Sequence, residues 1–445
     1  KFSVRELIVG IFSYSLSIDS ETRKFGYMRE FALAHSFTRS LTSSKPFYYI
    51  LIYSIFMKIG ILCTSYPQTK QDYWVTFMHS WASELAKTED VIVVTSGGPK
   101  TKNYEVRDGV KIYRFNYFYP KNLQKLTYGG GMKESFKQEF LPKIQAPFFM
   151  LAFFLKSLKI AKKCDVINAH WVLSGLVALP IKLLYKIPIV LTEHGGSIRG
   201  LPKWLNKFVL KRVDAVTSAH NDILEEIEGM GITKSVNIKN LLDEDKFLRR
   251  HNMKAIRKEL NIKNEKVVTF VGRFEELKDP LIFVRSIPYV IKKIRNVKFM
   301  MIGDGHLINY IKNEIQNLGI NGYLSVPGPT LEVDKYLAIS DIFVACSAVE
   351  NCFSTTILEA MLSKVPCIIT KAGVTEKFFV HRQDAYLVEK KNPRALGTAI
   401  LYLLKNKKLR KELSKNGLKF LERNGFRNRV IIKRLMNLFR SLTKT

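Results

Sequence analysis

Short apolar runs alternate with longer stretches of mixed polarity from Met57 almost to the end of the chain. The short runs are rich in β-branched residues, which is typical of strands buried on both faces of a parallel sheet. The longer stretches, such as 75–87 and 148–163, have the spacing of helices. The first series of predicted strands comprises residues 58–65, 90–95, 110–116, 165–170, 187–193, 215–218 and 236–238.

A second series of the same kind begins near Glu265. Helices are predicted over 280–294 and 309–318, and this alternation of strands and helices predicts a doubly wound parallel sheet. Two such series predict an α/β protein with two Rossmann-like domains that face each other across a cleft. Ligands then bind at the carboxyl ends of the strands. The predicted strands of this series are residues 267–272, 297–303, 323–326, 341–346, 366–370 and 385–388.

The charged segment 241–260 separates the two series and is the predicted linker. We therefore expect an N-terminal domain over residues 57–248 and a C-terminal domain over residues 249–425. Residues 426–445 have the pattern of a basic amphipathic helix. We expect residues 1–56 to be an accessory extension or an over-extended reading frame, with Met57 as the functional start.

The net charge of the 445-residue chain is +32, and a charge this large bears on which binding partners the protein has. A surface this basic attracts polyanions, but the sequence contains no RNA- or DNA-binding motif, which argues against nucleic acid. Two interpretations stay open: lysines spread over solvated helix faces, or a patch that faces an anionic membrane. The apolar run 146–155, followed by Lys156 and Lys159, is likewise either a buried helix or one that lies on a membrane.

Cysteine usage indicates the redox compartment. None of the cysteines occurs at the spacing of metal ligands, and several lie inside apolar runs, where a thiol behaves as a small hydrophobic group. This usage predicts a reducing, cytoplasmic compartment and no metal site. The cysteines are Cys63, Cys164, Cys346, Cys352 and Cys367.

The segment 347–361, SAVENCFSTTILEAM, carries the most chemical information. Glu350 and Glu359 bracket a small polar loop, which follows a predicted strand and opens into a helix near Ser354. A helix N-terminus offers free backbone N–H groups and the positive end of a dipole, and carboxylates accept hydrogen bonds from hydroxyl groups. The segment therefore suits a sugar attached to an anionic diphosphate.

Two further loops follow predicted strands of the second series. After the first strand, Arg273 offers a rigid fork of donors and Lys278 a mobile charge, and both suit a diphosphate; the alternative is a surface loop with ordinary ion pairs. After the next strand, Gly303 begins a Gly-Asp-Gly turn. Glycine permits positive φ and close approach of a nucleotide, whereas a plain turn is the alternative.

Histidines end two predicted strands of the first series. His194 is expected to face the cleft, where it could donate a hydrogen bond to a substrate hydroxyl or a developing charge, although a lone histidine is more often structural. His170 has the same two interpretations. The loop after the first strand contains Asp72, and Thr76 follows it. We expect Asp72, Thr76 and His170 to lie on the acceptor side.

These motifs together resemble those of retaining GT-B-fold glycosyltransferases of the family-four type (glycosyl transferases group 1) over residues 57–425. Two departures stand out: eight residues lie between Glu350 and Glu359 where the family has seven, and the loop containing Asp72 lacks the family's Gly-Gly pair. The Asp243-Glu244-Asp245 run mimics the Asp-x-Asp metal site of a different glycosyltransferase fold. Because it falls in the linker, we interpret it as solvated charge.

The resemblance implies a role for each motif. Arg273 and Lys278 would hold the donor diphosphate and neutralise the leaving group, and Glu359 would bind the ribose of the nucleotide. Glu350 or the backbone after it would meet the transferred sugar. The residues expected to be catalytic are His194, Glu350, Arg273 and Lys278. The residues expected to bind the donor are Arg273, Lys278, Gly303, Glu350, Asn351, Cys352, Phe353, Ser354, Thr355 and Glu359.

The resemblance also implies the reaction. A sugar would move from a nucleotide-diphosphate donor to a glycan, a lipid-linked sugar or a small molecule, with retention of anomeric configuration, without cofactor or metal. The enzyme would work in the cytoplasm or on the inner face of the membrane, in polysaccharide or glycolipid biosynthesis. Two alternatives stay open. One is a sugar-nucleotide epimerase or phosphorylase of the same architecture, and the other is a non-catalytic basic protein that binds lipids or polyanions.

Overall fold

The computed structural model describes residues 56–443, with gaps at 73–74, 100, 125, 128–134, 136–139 and 350–353. The expectations for residues 1–55, and those for Glu350, Asn351, Cys352 and Phe353, therefore lie outside the described residues. From Lys58 onward the chain forms one compact unit, and this unit contains two sheets.

The first sheet has the order β3-β4-β2-β1-β5-β6-β7-β8. All neighbouring strands are parallel except β3, which pairs antiparallel with β4. Its strands are β1 (Lys58–Cys63), β2 (Asp90–Ser96), β3 (Tyr104–Arg107), β4 (Val110–Phe115), β5 (Val166–His170), β6 (Ile189–Glu193), β7 (Ala215–Ser218) and β8 (Ser235–Asn237).

Helices lie between these strands because the chain must cross back to start each parallel strand. The last five of these helices pack on one apolar core. This core includes strand residues such as Ile167 and Leu191 and helix residues such as Phe153 and Val177. The helices are α1 (Thr76–Ala86), α2 (Leu141–Ala161), α3 (Val172–Tyr185), α4 (Gly196–Gly200), α5 (Lys203–Leu210) and α6 (Asn221–Gly229).

The linker contains two short helices, α7 (Glu244–Phe247) and α8 (Met253–Glu259). The second sheet follows with the order β11-β10-β9-β12-β13-β14, and all its neighbouring strands are parallel. Its strands are β9 (Lys266–Val271), β10 (Val297–Ile302), β11 (Leu324–Gly328), β12 (Ile342–Ala345), β13 (Cys367–Thr370) and β14 (Tyr386–Val388).

Separate apolar cores cover the second sheet, as expected for a doubly wound domain. The helices of this domain are α9 (Pro280–Ile291), α10 (Ile308–Asn317), α11 (Val333–Ala338), α12 (Thr355–Leu362), α13 (Val374–Phe378), α14 (Pro393–Lys405) and α15 (Lys407–Arg423), and α16 (Asn428–Thr443) follows them. The predicted fold class, two Rossmann-like α/β domains, is therefore confirmed.

Every predicted strand occurs, with its ends displaced by a few residues, but β3 was missed. This strand forms a hairpin with β4 through Asp108 and Gly109, and both turn residues have positive φ. An Asp-Gly pair is a strong hairpin signal because the type I′ turn requires positive φ at both central residues. The signal was present in the sequence, but the short, largely polar strand before it has no apolar run.

The interpretation of Asp243-Glu244-Asp245 as solvated charge was wrong for Glu244. The Glu244 carboxylate accepts hydrogen bonds from Arg427 Nε at 3.1 Å and Nη2 at 2.9 Å, and from the backbone N–H of Asn428 at 2.6 Å. Asp245 pairs with Lys87 of the first domain at 2.8 Å. The linker therefore anchors the start of α16 while it contacts the first domain.

Candidate active site

The loop after β9 carries Arg273. Its Nη1 donates to Glu275 Oε1 at 2.8 Å, and 66% of the Arg273 side chain is exposed. An exposed ion pair of this kind contributes only about 1 kcal/mol or less, so an anionic ligand can replace Glu275 at little cost. The guanidinium is thus available to a ligand from solvent.

Lys278 ends a short 3₁₀ turn, Glu276–Lys278, in the same loop. The backbone of this turn contacts the segment after β12, because Ala348 N–H donates to Leu277 C=O at 3.0 Å. The segment after β12 is joined in turn to β13, because the Thr370 hydroxyl donates to Ser347 C=O at 2.7 Å. The loop that carries Lys278 is therefore a neighbour of residues 347–349, at the carboxyl edge of the second sheet.

The Gly303 turn supports the Arg273 loop. Gly303 has a φ of 140°, and a Cβ atom there would lie 1.9 Å from Gly272 C=O. Phe274 N–H also donates to Asp304 C=O at 2.8 Å, which ties the two loops together. Glycine at 303 therefore allows two backbone segments to meet, and nucleotide contact at this position stays a prediction.

Ser354 and Thr355 occupy the predicted helix start. Ser354 is the N-cap residue of α12, and its hydroxyl lies 3.0 Å from that of Thr356. Thr355 is the first helical residue. The free N–H groups of this helix therefore follow directly on the loop that carries Glu350, as the sequence indicated.

Glu359 lies on α12 in an enclosed setting. Burial raises its pKa to about 7, opposed by Lys246 and reinforced by Asp243 and Asp334. These charges belong to the linker and to α11, and Ser363, the C-cap residue of α12, also donates to Phe247 C=O of α7 at 3.3 Å. The structure thus places Glu359 beside the linker, and a pocket shared with Arg273 and Lys278 stays a prediction.

His170 and His194 form a stacked pair at the carboxyl edge of the first sheet. His170 Nδ1 and His194 Nε2 are 2.9 Å apart, and the ring planes differ by 14°. Phe77 and Trp171 contact the His194 ring. His170 is completely buried, and its expected place on the acceptor side stays a prediction. Its position suits orientation of His194.

The hydrogen-bond network assigns the protons of this pair. Asn168 Nδ2 donates to Val190 C=O at 3.1 Å, so Asn168 Oδ1 is an acceptor and takes a hydrogen bond from His170 Nε2 at 3.1 Å. His170 Nδ1 must then accept from His194 Nε2–H. In this arrangement His194 Nδ1 is left as an acceptor, and the expected hydrogen bond from His194 to a substrate stays a prediction.

Both imidazoles are neutral at neutral pH. Burial, followed by the effect of His220, lowers the pKa of His194 to about 3. Burial, followed by the effect of His194, lowers the pKa of His170 well below its ordinary value. His194 is thus suited to accept a hydrogen bond rather than to supply a proton or a positive charge.

Glu193 holds the loop that contains His194, and the only sequence signal for this role was its position at a strand end. Its buried carboxylate accepts from the backbone N–H groups of His194 at 3.1 Å, Gly195 at 3.0 Å and Ser197 at 3.3 Å. The Ser197 hydroxyl donates to the other oxygen at 2.5 Å. This loop is consequently fixed by one side chain.

The loop after β1 has no Gly-Gly pair and is fixed by side chains. Asp72 accepts from Gln68 N–H at 3.1 Å, which closes the loop on itself, and Thr76 begins α1. The buried Arg114 donates to Pro67 C=O at 2.8 Å. Asp72 has a clear local role, and acceptor contacts of Asp72 and Thr76 stay predictions.

A pocket of about 270 Å³ lies between the two domains. Asn221, Asn237 and Lys239 line it from the first domain, Val374 lines it from the second, and Arg434 lines it from α16. Burial, followed by repulsion from Arg434, lowers the pKa of Lys239 to about 8. The pocket thus gathers two cations and amide groups.

The pocket adjoins the histidine pair through one short segment. Ala219 and Asn221 line the pocket, and His220 between them is close enough to lower the pKa of His194. Among the residues that the structure describes, no group of three His, Cys, Asp or Glu side chains could hold a metal ion. The site therefore consists of cations, amides, carboxylates and neutral imidazoles.

Comparison with known families matches both halves of the chain. The family described as Glycosyl transferases group 1 matches residues 252–420, and the family described as Glycosyltransferase Family 4 matches residues 75–246. These two segments contain the second sheet and most of the first one.

Curated relatives include two bacterial enzymes of named activity. N-acetyl-alpha-D-glucosaminyl L-malate synthase of Bacillus anthracis is 25% identical over 80% of this chain and 90% of that protein. UDP-Gal:alpha-D-GlcNAc-diphosphoundecaprenol alpha-1,3-galactosyltransferase of Escherichia coli is 28% identical over 51% of this chain and 63% of that protein. The first of these alignments spans both predicted domains.

Solved structures agree on the fold. HepE of Anabaena, solved in complex with UDP and glucose, has a TM-score of 0.66 and 16% identity over 86% of this chain and 100% of that one. Sucrose-phosphate synthase of Thermosynechococcus elongatus has a TM-score of 0.67 and 17% identity over 87% and 99%. The two-domain fold of this chain is therefore shared with these two solved structures.

Proposed function

Because the chain belongs to the group 1 glycosyltransferases of GT-B type, we propose that it moves a sugar from a nucleotide-diphosphate donor to an acceptor with retention of anomeric configuration. The single observation that carries the proposal is the contact between Ala348 and Leu277, which makes neighbours of the basic loop and residues 347–349. A diphosphate and its attached sugar need such adjacent groups.

The donor binds in the second domain under this proposal. Arg273 and Lys278 stabilise the departing diphosphate by charge, so the reaction needs no metal. Glu359 binds the ribose, and its raised pKa lets the carboxyl group donate as well as accept hydrogen bonds. HepE was solved with UDP and glucose, so uridine nucleotides are the first donors to test.

The transfer itself is a same-face substitution at the anomeric carbon. The bond from this carbon to the diphosphate oxygen breaks, and a bond to the acceptor oxygen forms on the same face. The acceptor proton passes to the departing diphosphate, so no protein base is required. His194 Nδ1 accepts a hydrogen bond from a donor-sugar hydroxyl, and its neutral ring adds no charge that would compete with Arg273.

The acceptor carries a negative charge under this proposal. The names of two relatives specify anionic acceptors, L-malate and a diphosphoundecaprenol-linked sugar. In this chain the pocket with Lys239 and Arg434 adjoins the segment that contains His220. Lys239 Nζ donates to Asn424 C=O, and an anion in the pocket would be attracted by both cations. We therefore place the acceptor's anionic group in that pocket, at the inner face of a cytoplasmic membrane or in the cytoplasm.

A panel of nucleotide diphosphates and nucleotide sugars tests the donor site. The readouts are thermal stabilisation and slow hydrolytic release of nucleotide, and Arg273→Ala and Glu359→Gln should each lose most of the response. Arg285→Ala is the matched control, because Arg285 pairs with Glu314 outside these loops. The proposed donor site is wrong if both variants respond as the wild type does.

The same preparation distinguishes the remaining reactions. Release of an epimerised nucleotide sugar without free nucleotide would favour an epimerase, and a requirement for inorganic phosphate would favour a phosphorylase. For the acceptor pocket, Lys239→Met should weaken binding of inorganic pyrophosphate added after a saturating nucleotide and leave nucleotide binding itself unchanged. Unchanged pyrophosphate binding would contradict the proposal that the anionic group of the acceptor binds in this pocket.

A further inference from the structure

Helix α2 has apolar residues on two faces. Phe149, Phe153 and Ile160 on the inner face are buried in the core of the first domain. On the outer face, Phe148 and Leu151 are 54% and 57% exposed. The exposed apolar residues of this helix and its N-cap are Phe140, Ile144, Phe148, Leu151 and Leu155. Their spacing of three to four residues forms one continuous stripe.

The composition of α2 alone does not decide how it meets a membrane. By length and hydropathy it is the one helix among the described residues that could cross a bilayer. Its inner face, however, packs against the sheet and cannot turn to lipid while the domain is folded. Only the outer stripe is available, so the helix can lie on a bilayer but cannot span it.

Neighbouring helices continue the stripe. Helix α3 packs beside α2, and α5 packs beside α3. Leu183 near the end of α3 is 83% exposed, and Trp204 on α5 is 70% exposed. Lys182 Nζ donates to Arg212 C=O at 3.0 Å, which joins the end of α3 to the segment after α5. The exposed apolar residues added by these two helices are Leu183, Leu184, Tyr185, Trp204 and Phe208.

The charges within the three helical segments have one sign, and Asp214, just after the third segment, pairs with Lys182 Nζ at 2.8 Å. Segments 141–163, 172–186 and 203–212 contain no Asp or Glu. Lysines on such a surface repel each other, and burial together with Lys159 lowers the pKa of Lys156. The basic residues of the three segments are Lys143, Lys156, Lys159, Lys162, Lys163, Lys182, Lys186, Lys203, Lys207, Lys211 and Arg212.

The exposed apolar stripe and the basic residues around it suit the same kind of binding partner. Large apolar side chains gain from leaving water, lysine stems cover apolar surface while their ammonium groups reach outward, and both effects suit a layer that is apolar inside and anionic at its surface. We propose that the outer faces of α2, α3 and α5, here called the amphipathic face, dock on an anionic lipid leaflet. The proposal does not depend on which sugar is transferred.

Vesicle sedimentation of the full chain tests this proposal. The protein should bind vesicles of phosphatidylcholine mixed with phosphatidylglycerol, bind phosphatidylcholine alone much less, and dissociate as salt is raised. Leu151→Asp combined with Leu183→Asp should lower the partition coefficient roughly tenfold or more, because two apolar contacts are lost and two negative charges face the leaflet. Both side chains are exposed, so the fold should tolerate the change.

Tyr310→Asp is the matched control, because Tyr310 is an exposed aromatic residue on α10 of the second domain. This variant should bind vesicles as the wild type does. Equal vesicle binding by the double variant, or equal binding to neutral and anionic vesicles, would overturn the proposal. So would a stable dimer in solution that the double variant abolishes, because a second copy would then cover the amphipathic face.

The donor assay separates this inference from the proposed reaction. The double variant should keep the thermal response to nucleotide diphosphates, because Leu151 and Leu183 lie on the outside of the first domain. Loss of vesicle binding with retained nucleotide response supports the docking surface by itself. A lost nucleotide response with retained vesicle binding contradicts it, since the two substitutions would then act on the site and not on the membrane.

Discussion

His194 Nε2 donates its hydrogen bond to His170 Nδ1, 2.9 Å away, and the two rings stack almost in parallel. The Nε2–H of His194 is thus engaged by His170, and Nδ1 of His194 is left as an acceptor. Burial is the main reason that both rings are neutral, because it lowers the pKa of each imidazole.

Stability should fall as pH falls below about 6.5, partly because of this pair. The pKa of His194 is about 3 in the folded protein and ordinary in the unfolded chain, so the unfolded chain binds more protons in this range. The stability that neutral His194 confers is present above pH of about 6.5 and is lost as pH falls towards 3. Urea unfolding at several pH values should show a smaller slope for His194→Gln than for the wild type. An identical slope would contradict the assignment.

Substitution of Glu275 should tighten the binding of nucleotide diphosphate, whereas substitution of Arg273 should weaken it. Glu275 competes with the ligand for the Arg273 guanidinium, so Glu275→Gln should improve affinity about twofold to fivefold, in line with the small worth of an exposed ion pair. Arg273→Ala removes a charge-assisted hydrogen bond and should lower affinity about tenfold or more. Isothermal titration measures both. Weaker binding by Glu275→Gln would mean that Glu275 contacts the ligand or positions Arg273.

Glu244→Ala should destabilise the protein by about 2–4 kcal/mol, because it removes the carboxylate that the largely buried Arg427 and the Asn428 N–H both contact and leaves Arg427 only the exposed Glu422. Asp245→Ala is the neighbouring control. Its carboxylate pairs with Lys87 but is 82% exposed, so the loss should stay within about 1 kcal/mol. Equilibrium unfolding in urea measures the difference. Similar losses for both variants would show that the Glu244–Arg427 pair is no stronger than a surface contact.

Gly303→Ala should destabilise the protein by more than about 3 kcal/mol and weaken nucleotide binding. The added Cβ would collide with Gly272 C=O, and the φ of 140° is unfavourable for any residue with a side chain. Gly322→Ala is the control, because open space surrounds that position, and the change should be within about 1 kcal/mol. Thermal unfolding and titration with nucleotide diphosphate measure both effects. A stable Gly303→Ala variant with normal binding would contradict the role of this turn.

The sequence predicted the helices and strands well because their patterns are local. The run before Arg273 is apolar and β-branched, and it forms β9. The polar segment that ends in Ser354 precedes α12, with Ser354 as its N-cap residue. Once two parallel sheets were recognised, the placement of Arg273 and His194 at carboxyl edges followed from strand direction.

The sequence could not decide which face of α2 is buried. Both faces carry large apolar residues, so periodicity alone allowed a buried helix and a membrane-facing one. The packing of Phe149 and Phe153 against the sheet leaves Phe148 and Leu151 outside. The inner face of α2 is therefore buried, and a membrane contact of the exposed outer face stays a prediction.

The sequence by itself determined the α/β class, the order of the elements and the chemical types present at each strand end, because these depend on local pattern and on strand direction. Only the tertiary structure decided which side chains meet. His170 meets His194 across two neighbouring strands, and Glu244 meets Arg427 far along the chain. Such pairs depend on which distant segments the fold brings into contact, and the pattern of residues along the chain does not specify these contacts.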